Sequence, residues 1–112
     1  MSKRTRAFSR TAIEAAGLLG AQIAAARLER RWTTGELAER AGISRPTLAR
    51  VERGDPTVGL GVALDVAALA GVPLFFTDPS RLGDELSRQR QVVRLLPQAP
   101  RGGRSDDVDD DF

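Results

Sequence analysis

The chain has 112 residues, no cysteine and no histidine, and aromatics make up only 4% of it. That length fits one domain of ordinary size, and a core limited to Leu, Val, Ile and Ala suits small, closely packed helices better than a β-sandwich. Disulfides, cysteine-based metal sites and histidine general bases are excluded, and nothing in the composition calls for a metal or a cofactor.

Net charge is +2, but it is unevenly spread. Residues 1–56 carry eleven basic against six acidic side chains, and residues 57–112 carry six against nine. Five of the last seven residues are Asp. This asymmetry points to a polyanion-binding half and a separate acidic tail. No apolar run approaches the roughly 20 residues of a membrane span. No signal peptide follows the basic start, so a cytoplasmic protein that does not engage membranes is expected.

Residues 1–10, MSKRTRAFSR, read as a flexible basic arm, either merely solvated or touching DNA phosphates through Lys3 and Arg4. The first helix is expected from about Thr11, with Glu14 completing a capping box, to about Arg31. Leu19, Ile23 and Ala26 recur on one face of it, and the alanines at 24–26 permit close helix packing. Thr33 and Glu36 form a second capping box that opens a helix over 34–41. Gly42 is the expected left-handed residue ending that helix, and Ile43 then enters the core. Ser44 caps the third helix, with Pro46 in its first turn. Leu48 and Val51 face inward, leaving Thr47, Ala49 and Arg50 outside, and Gly54 ends the helix.

A fourth helix fits about 59–70, with Leu60, Ala63, Leu64, Ala67 and Ala68 apolar and Gly71 as its stop. Asp78 and Pro79 mark the start of a fifth, running to Leu96 and stopped by Pro97. Its stripe of Leu82, Leu86, Val93 and Leu96 serves either as core or as a dimer surface, and residues 92–96 could alternatively form a short strand. Residues 97–105 are a linker by composition. The acidic tail beyond cannot bury enough apolar area to fold alone. It is either a disordered solubilising segment or, through Asp109, Asp110, Asp111 and Phe112, an anchor for a partner. The chain thus divides into an arm (1–10), a DNA-binding domain (11–76), a fifth helix (77–96), and a linker with an acidic tail (97–112).

Residues 33–54, TTGELAERAGISRPTLARVERG, carry the chemistry. Two helices of about eight residues joined by a short glycine turn, in the basic half, form a helix-turn-helix. The second helix of such a unit enters the major groove with its N-terminal residues against base edges. Arg45, Pro46, Thr47 and Arg50 are therefore the candidate base contacts, Arg because it can bond guanine O6 and N7 in bidentate fashion. Thr34, at a helix N-terminus, and Arg53 are candidate phosphate contacts. Arg27 and Glu52 are either unrelated exposed charges or a partly buried pair clamping helix one to the reading helix. An enzyme is hard to build without His, Cys or Tyr and without a phosphate-binding glycine loop.

The segment LGAQIAAARLERRWTTGELAERAGISRPTLARVERGDP resembles the phage-repressor-type helix-turn-helix regulators, the Xre/Cro-like family. The resemblance spans residues 19–71 and implies an all-α, five-helix domain that binds palindromic double-stranded operators as a homodimer and represses transcription. It places Thr34, Arg45, Pro46, Thr47 and Arg50 at DNA-facing positions, and Arg27 and Glu52 at an inter-helix ion pair. The chain departs from the family in having Thr34 where glutamine is common, and Gly35 inside helix two, which costs about 1 kcal/mol relative to Ala. The stretch ERGDPTVGLGVALDVAALAGVPLF and the terminal DDVDDDF are similar to HipB-like antitoxins. That similarity implies autoregulation at the nucleoid and a HipA-like kinase toxin as partner.

Overall fold

The computed structural model describes residues 7–99. Lys3, Arg4 and the tail residues Asp109, Asp110, Asp111 and Phe112 lie outside the described residues. The fold is all-α: α1 (Arg10–Glu29), α2 (Thr34–Ala41), α3 (Arg45–Glu52), α4 (Leu60–Ala70) and α5 (Leu82–Leu95), with a 3-10 turn at Pro79–Arg81. No β-strand occurs among the described residues, so the strand alternative for 92–96 is discarded. The chain divides into two units, Met1–Phe76 with α1 to α4 and Thr77–Phe112 with α5.

Local chemistry sets the helix boundaries. Thr33 Oγ1 accepts the Glu36 amide at 3.0 Å while the Glu36 carboxylate accepts the Thr33 amide at 2.8 Å, so the expected capping box is present at the start of α2. Ser44 Oγ accepts the Thr47 amide at 3.1 Å to start α3. The start of α1 differs from expectation. Its N-cap is Ser9, which accepts the Ala12 amide at 3.0 Å, and Thr11 lies inside the helix. Phe8, half-buried, lines a groove together with Ala12, Ala16 and Leu19.

All four helices of the first unit end alike. An amide two or three residues past each helix end bonds to the carbonyl five residues before it, at Trp32–Arg27, Ile43–Ala38, Asp55–Arg50 and Val72–Ala67. Each such ending needs one left-handed residue. Gly42, Gly54 and Gly71 supply it at φ 68°, 79° and 82°, but α1 uses Arg31 at φ 60°. Without a glycine to mark it, the end of α1 falls two residues earlier than the sequence suggests.

Helices α1 and α2 each pack on α3 and α4. The core is Ile23 from α1, Leu37 and Ala38 from α2, Leu48 and Val51 from α3, Val66, Ala67 and Ala70 from α4, and Val72. Leu19, Ala26, Trp32, Ile43 and Ala63 pack partly buried around it. On α4, Val66, Ala67 and Ala70 are buried, whereas Leu60 and Ala68 are exposed. A helix apolar on nearly every side has no stripe from which its inner face can be read. On α5 the apolar stripe contributes no buried residue, which sets aside the core alternative. Within its own unit this helix has no second layer to pack on, so Leu86, Val93 and Leu96 are about half exposed.

The closest helix approach lies at Gly20. A Cβ there would run into the Val51 and Glu52 carbonyl groups of α3, and one on Gly54 would meet the Gly17 backbone. Gly20 and Gly17 thus set how closely α1 approaches the end of α3. Gly20→Ala is expected to lower stability by about 1–3 kcal/mol through overpacking. Gly17→Ala adds a Cβ that meets nothing and is expected to raise stability by up to about 1 kcal/mol. Denaturant melts of the two variants check both signs.

Candidate nucleic-acid interface

Helix α3 is joined to α1 by one ion pair. Arg27 Nε and Nη2 donate to Glu52 Oε2 and Oε1 at 2.7 and 3.1 Å, a bidentate fork joining α1 to the end of α3. Arg27 Nη1 also donates to the Trp32 carbonyl at 3.0 Å. Both side chains are largely buried, 12% and 13% exposed. The hydrogen bonds to Glu52 raise the Arg27 guanidinium above its ordinary value, against the opposing effect of desolvation. The Arg27 guanidinium is therefore charged at every physiological pH. Gly20 and Arg27 lie seven residues apart on one face of α1, so close approach and ion pair grip the same end of α3.

Sequence reasoning missed Trp32. Its ring is flanked by the Arg40 and Arg30 guanidinium groups, 4.4 and 5.5 Å from the ring centroid. Such cation–π contacts add about 0.5–1 kcal/mol each where partly exposed. They tie the α1–α2 connection to α2. Arg30 and Arg40, two and eight residues from the sole tryptophan, were the available signal.

The outer face carries the polar residues of the motif. Arg45 and Pro46 open α3 and are exposed, as are Thr34 at the start of α2 and Arg53 at the end of α3. Thr47 is half-buried, and its hydroxyl oxygen accepts from Ser44 Oγ at 2.9 Å. Gly35 has a structural reason. A Cβ there would come within 2.5 to 2.9 Å of the Arg45 guanidinium. The glycine clears the space in which the Arg45 head lies across the N-terminus of α2.

Arg50 is more constrained than a solvated arginine. Its Nε donates to Asp55 Oδ2 at 2.9 Å and its Nη2 to Thr57 Oγ1 at 2.8 Å. Asp55 Oδ1 in turn accepts the Thr57 hydroxyl at 2.6 Å and the Thr57 amide at 2.9 Å. One edge of the guanidinium is thus held by the loop after α3. Its outer edge, Nη1 with the second Nη2 hydrogen, has no partner among the described residues, and the side chain is 40% exposed. The bonds from Thr57, and then from Arg50, hold the Asp55 carboxyl well below the usual carboxylate range. The Asp55-Pro56 pair marks a turn in the sequence; its reach back to Arg50 is a long-range contact that no local rule gives.

Two short helices at this spacing, a fixed second helix and an outward row of arginine and threonine define a helix-turn-helix DNA-binding domain. Comparison with known proteins agrees: residues 18–74 match the family model described as "Helix-turn-helix domain", and the chain belongs to that family. No curated protein and no solved structure matches the chain. No helix among the described residues is long and apolar enough to cross a membrane.

The Asp55 clamp has a measurable pH signature. A carboxyl whose folded value is depressed contributes stability that is complete above the unfolded value of about 3.9 and is lost as pH falls towards the folded value. The Asp55 carboxyl carbon shift should therefore stay at its ionised position as pH is lowered through 4. A midpoint in the ordinary Asp range would mean that the clamp on Arg50 is not formed in solution.

Proposed function

We propose that this helix-turn-helix protein is a sequence-specific transcriptional repressor that reads double-stranded DNA through the N-terminal half of α3. The observation that carries the reading is Arg50, held along one edge by Asp55 and Thr57 with its other edge pointing away from them. The Nη1–Nη2 edge is the fork that matches guanine O6 and N7. A guanidinium already fixed loses less side-chain freedom on binding than a free one. Arg45 acts beside it, Pro46 and the Thr47 methyl offer apolar contact to thymine, and Thr34 and Arg53 meet phosphates. Lys3 and Arg4 add further phosphate contacts. Arg27 and Glu52 position the helix without touching DNA.

The repressor acts as a homodimer on a palindromic operator in the cytoplasm, at the nucleoid, its two reading helices about 34 Å apart on successive major grooves. Its pairing as an autoregulating antitoxin with a HipA-like kinase toxin, held by Asp109, Asp110, Asp111 and Phe112, rests on resemblance alone. The toxin pairing is thus the finest part of the reading and the first to discard should a tail deletion leave every interaction unchanged.

Selection of bound duplexes from a random pool tests the base-reading role. Arg50→Ala should lose preference at one base pair per half-site, a discrimination of about 1–3 kcal/mol, while non-specific affinity barely changes. Asp55→Asn, which leaves Arg50 in place but loosens its clamp, should weaken the same preference in part. An Arg50→Ala variant that selects the parent's sequences with the parent's affinity would contradict the assignment.

A further inference from the structure

Between its two arginines the outer face of α3 is apolar. At about 3.6 residues per turn, the direction opposite the buried Leu48 and Val51 falls on Pro46, and Ala49 and Pro46 lie side by side between Arg45 and Arg50 around the helix. Pro46 and Ala49 are both exposed. Three residues apart, they are neighbours on one face, and neither side chain carries a polar atom. Proline has no amide hydrogen either. We infer that this patch reads the C5 methyl group of a pyrimidine, so that the protein responds to methylation of cytosine in its DNA site. The inference rests on the base-reading role proposed for α3 and adds a regulatory input to it.

The base edges leave one group that fits such a patch. In the major groove guanine presents N7 and O6, adenine N7 and N6, and cytosine N4. Each is polar, and each would lose water against Pro46 and Ala49 without gaining a hydrogen bond. The C5 methyl of thymine is the apolar exception. Cytosine methylated at C5 presents the same methyl in the same place, while its N4 amine and its pairing with guanine are unchanged. Pro46 stands one turn before Arg50, and side chains at that spacing are about 5–6 Å apart. Successive base pairs are about 3.4 Å apart. The methyl therefore sits one or two base pairs from the guanine that Arg50 reads. The clamp by Asp55 and Thr57 holds Arg50 from the far side, so the arginine keeps its guanine whether or not the methyl is present.

Duplexes that differ by one methyl group test this. The starting duplex is one the protein selects from a random pool. Each pyrimidine within two base pairs of the guanine that Arg50→Ala ceases to prefer is made, in turn, thymine, deoxyuridine, cytosine or 5-methylcytosine. At one position thymine should bind about fourfold tighter than deoxyuridine, and 5-methylcytosine about fourfold tighter than cytosine, the worth of one buried methyl in each half-site. Replacing Pro46→Ser together with Ala49→Ser should erase both differences and keep the guanine preference, and helical circular dichroism checks that this variant is folded. The duplex comparison on the parent protein stands without the variant. Equal binding within both pairs would overturn the inference, as would a thymine effect with none from 5-methylcytosine, or a methyl effect that survives in the double variant. In each of those cases a retained guanine preference leaves α3 as the reader. A parent protein with no preference for any base pair would overturn the base-reading role itself, and this inference with it.

Discussion

The fork from Arg27 to Glu52 is the constraint on which the rest of the first unit depends. It joins the last turn of α1 to the last turn of α3 while also bonding the Trp32 carbonyl that begins the next connection. Removing one partner of a largely buried pair leaves an uncompensated charge and costs about 3–5 kcal/mol, whereas replacing both partners by apolar residues can be nearly neutral. The stability argument for the pair is therefore weak. What the fork does provide is a defined position for α3. Gly20 lets the α3 backbone approach, Ile23 fills the space beyond, and the fork fixes the angle and axial place of the helix. A leucine pair of the same volume would fill the space without specifying that place.

Positioning continues outwards from this anchor. Leu48 and Val51 point into the core, which turns Arg45, Pro46, Thr47 and Arg50 away from it on a helix of eight residues. The two arginines differ in how they are placed. The Arg45 head lies in the space beside Gly35, while Arg50 is held by a carboxylate and a hydroxyl of the following loop. The clamp on Arg50 restricts a long side chain that would otherwise lose rotamer freedom on binding.

Much of this was legible in the sequence because it is written in local chemistry. The Thr33–Glu36 box, the Ser44 cap and the glycines at 42, 54 and 71 each act within one turn of the chain, and the bounds of α2 follow directly from them. The pairing of Arg27 with Glu52 came from a resemblance, since no local rule links residues 25 apart. The misreadings have the same origin. Thr11 followed by Glu14 looks as good a cap as Ser9, yet it is Ser9 whose side chain accepts the Ala12 amide. Arg31 ends a helix in a conformation that sequence rules assign to glycine. The inner face of α4 cannot be picked from a helix of alanine, valine and leucine. The stripe on α5 was visible, but whether its neighbour belongs to the same chain is a fact of tertiary structure.

The central claim is that DNA meets the N-terminal half of α3 and the start of α2 on a scaffold that does not rearrange. Amide shift mapping by NMR, with a duplex that the chain itself selects from a random pool, tests this most directly. The account predicts large perturbations at Thr34, Arg45, Thr47 and Arg50, with Ile23, Leu37 and Val66 unmoved. Perturbations centred on Leu64 and Ala68 of α4, or spread through the core, would contradict it.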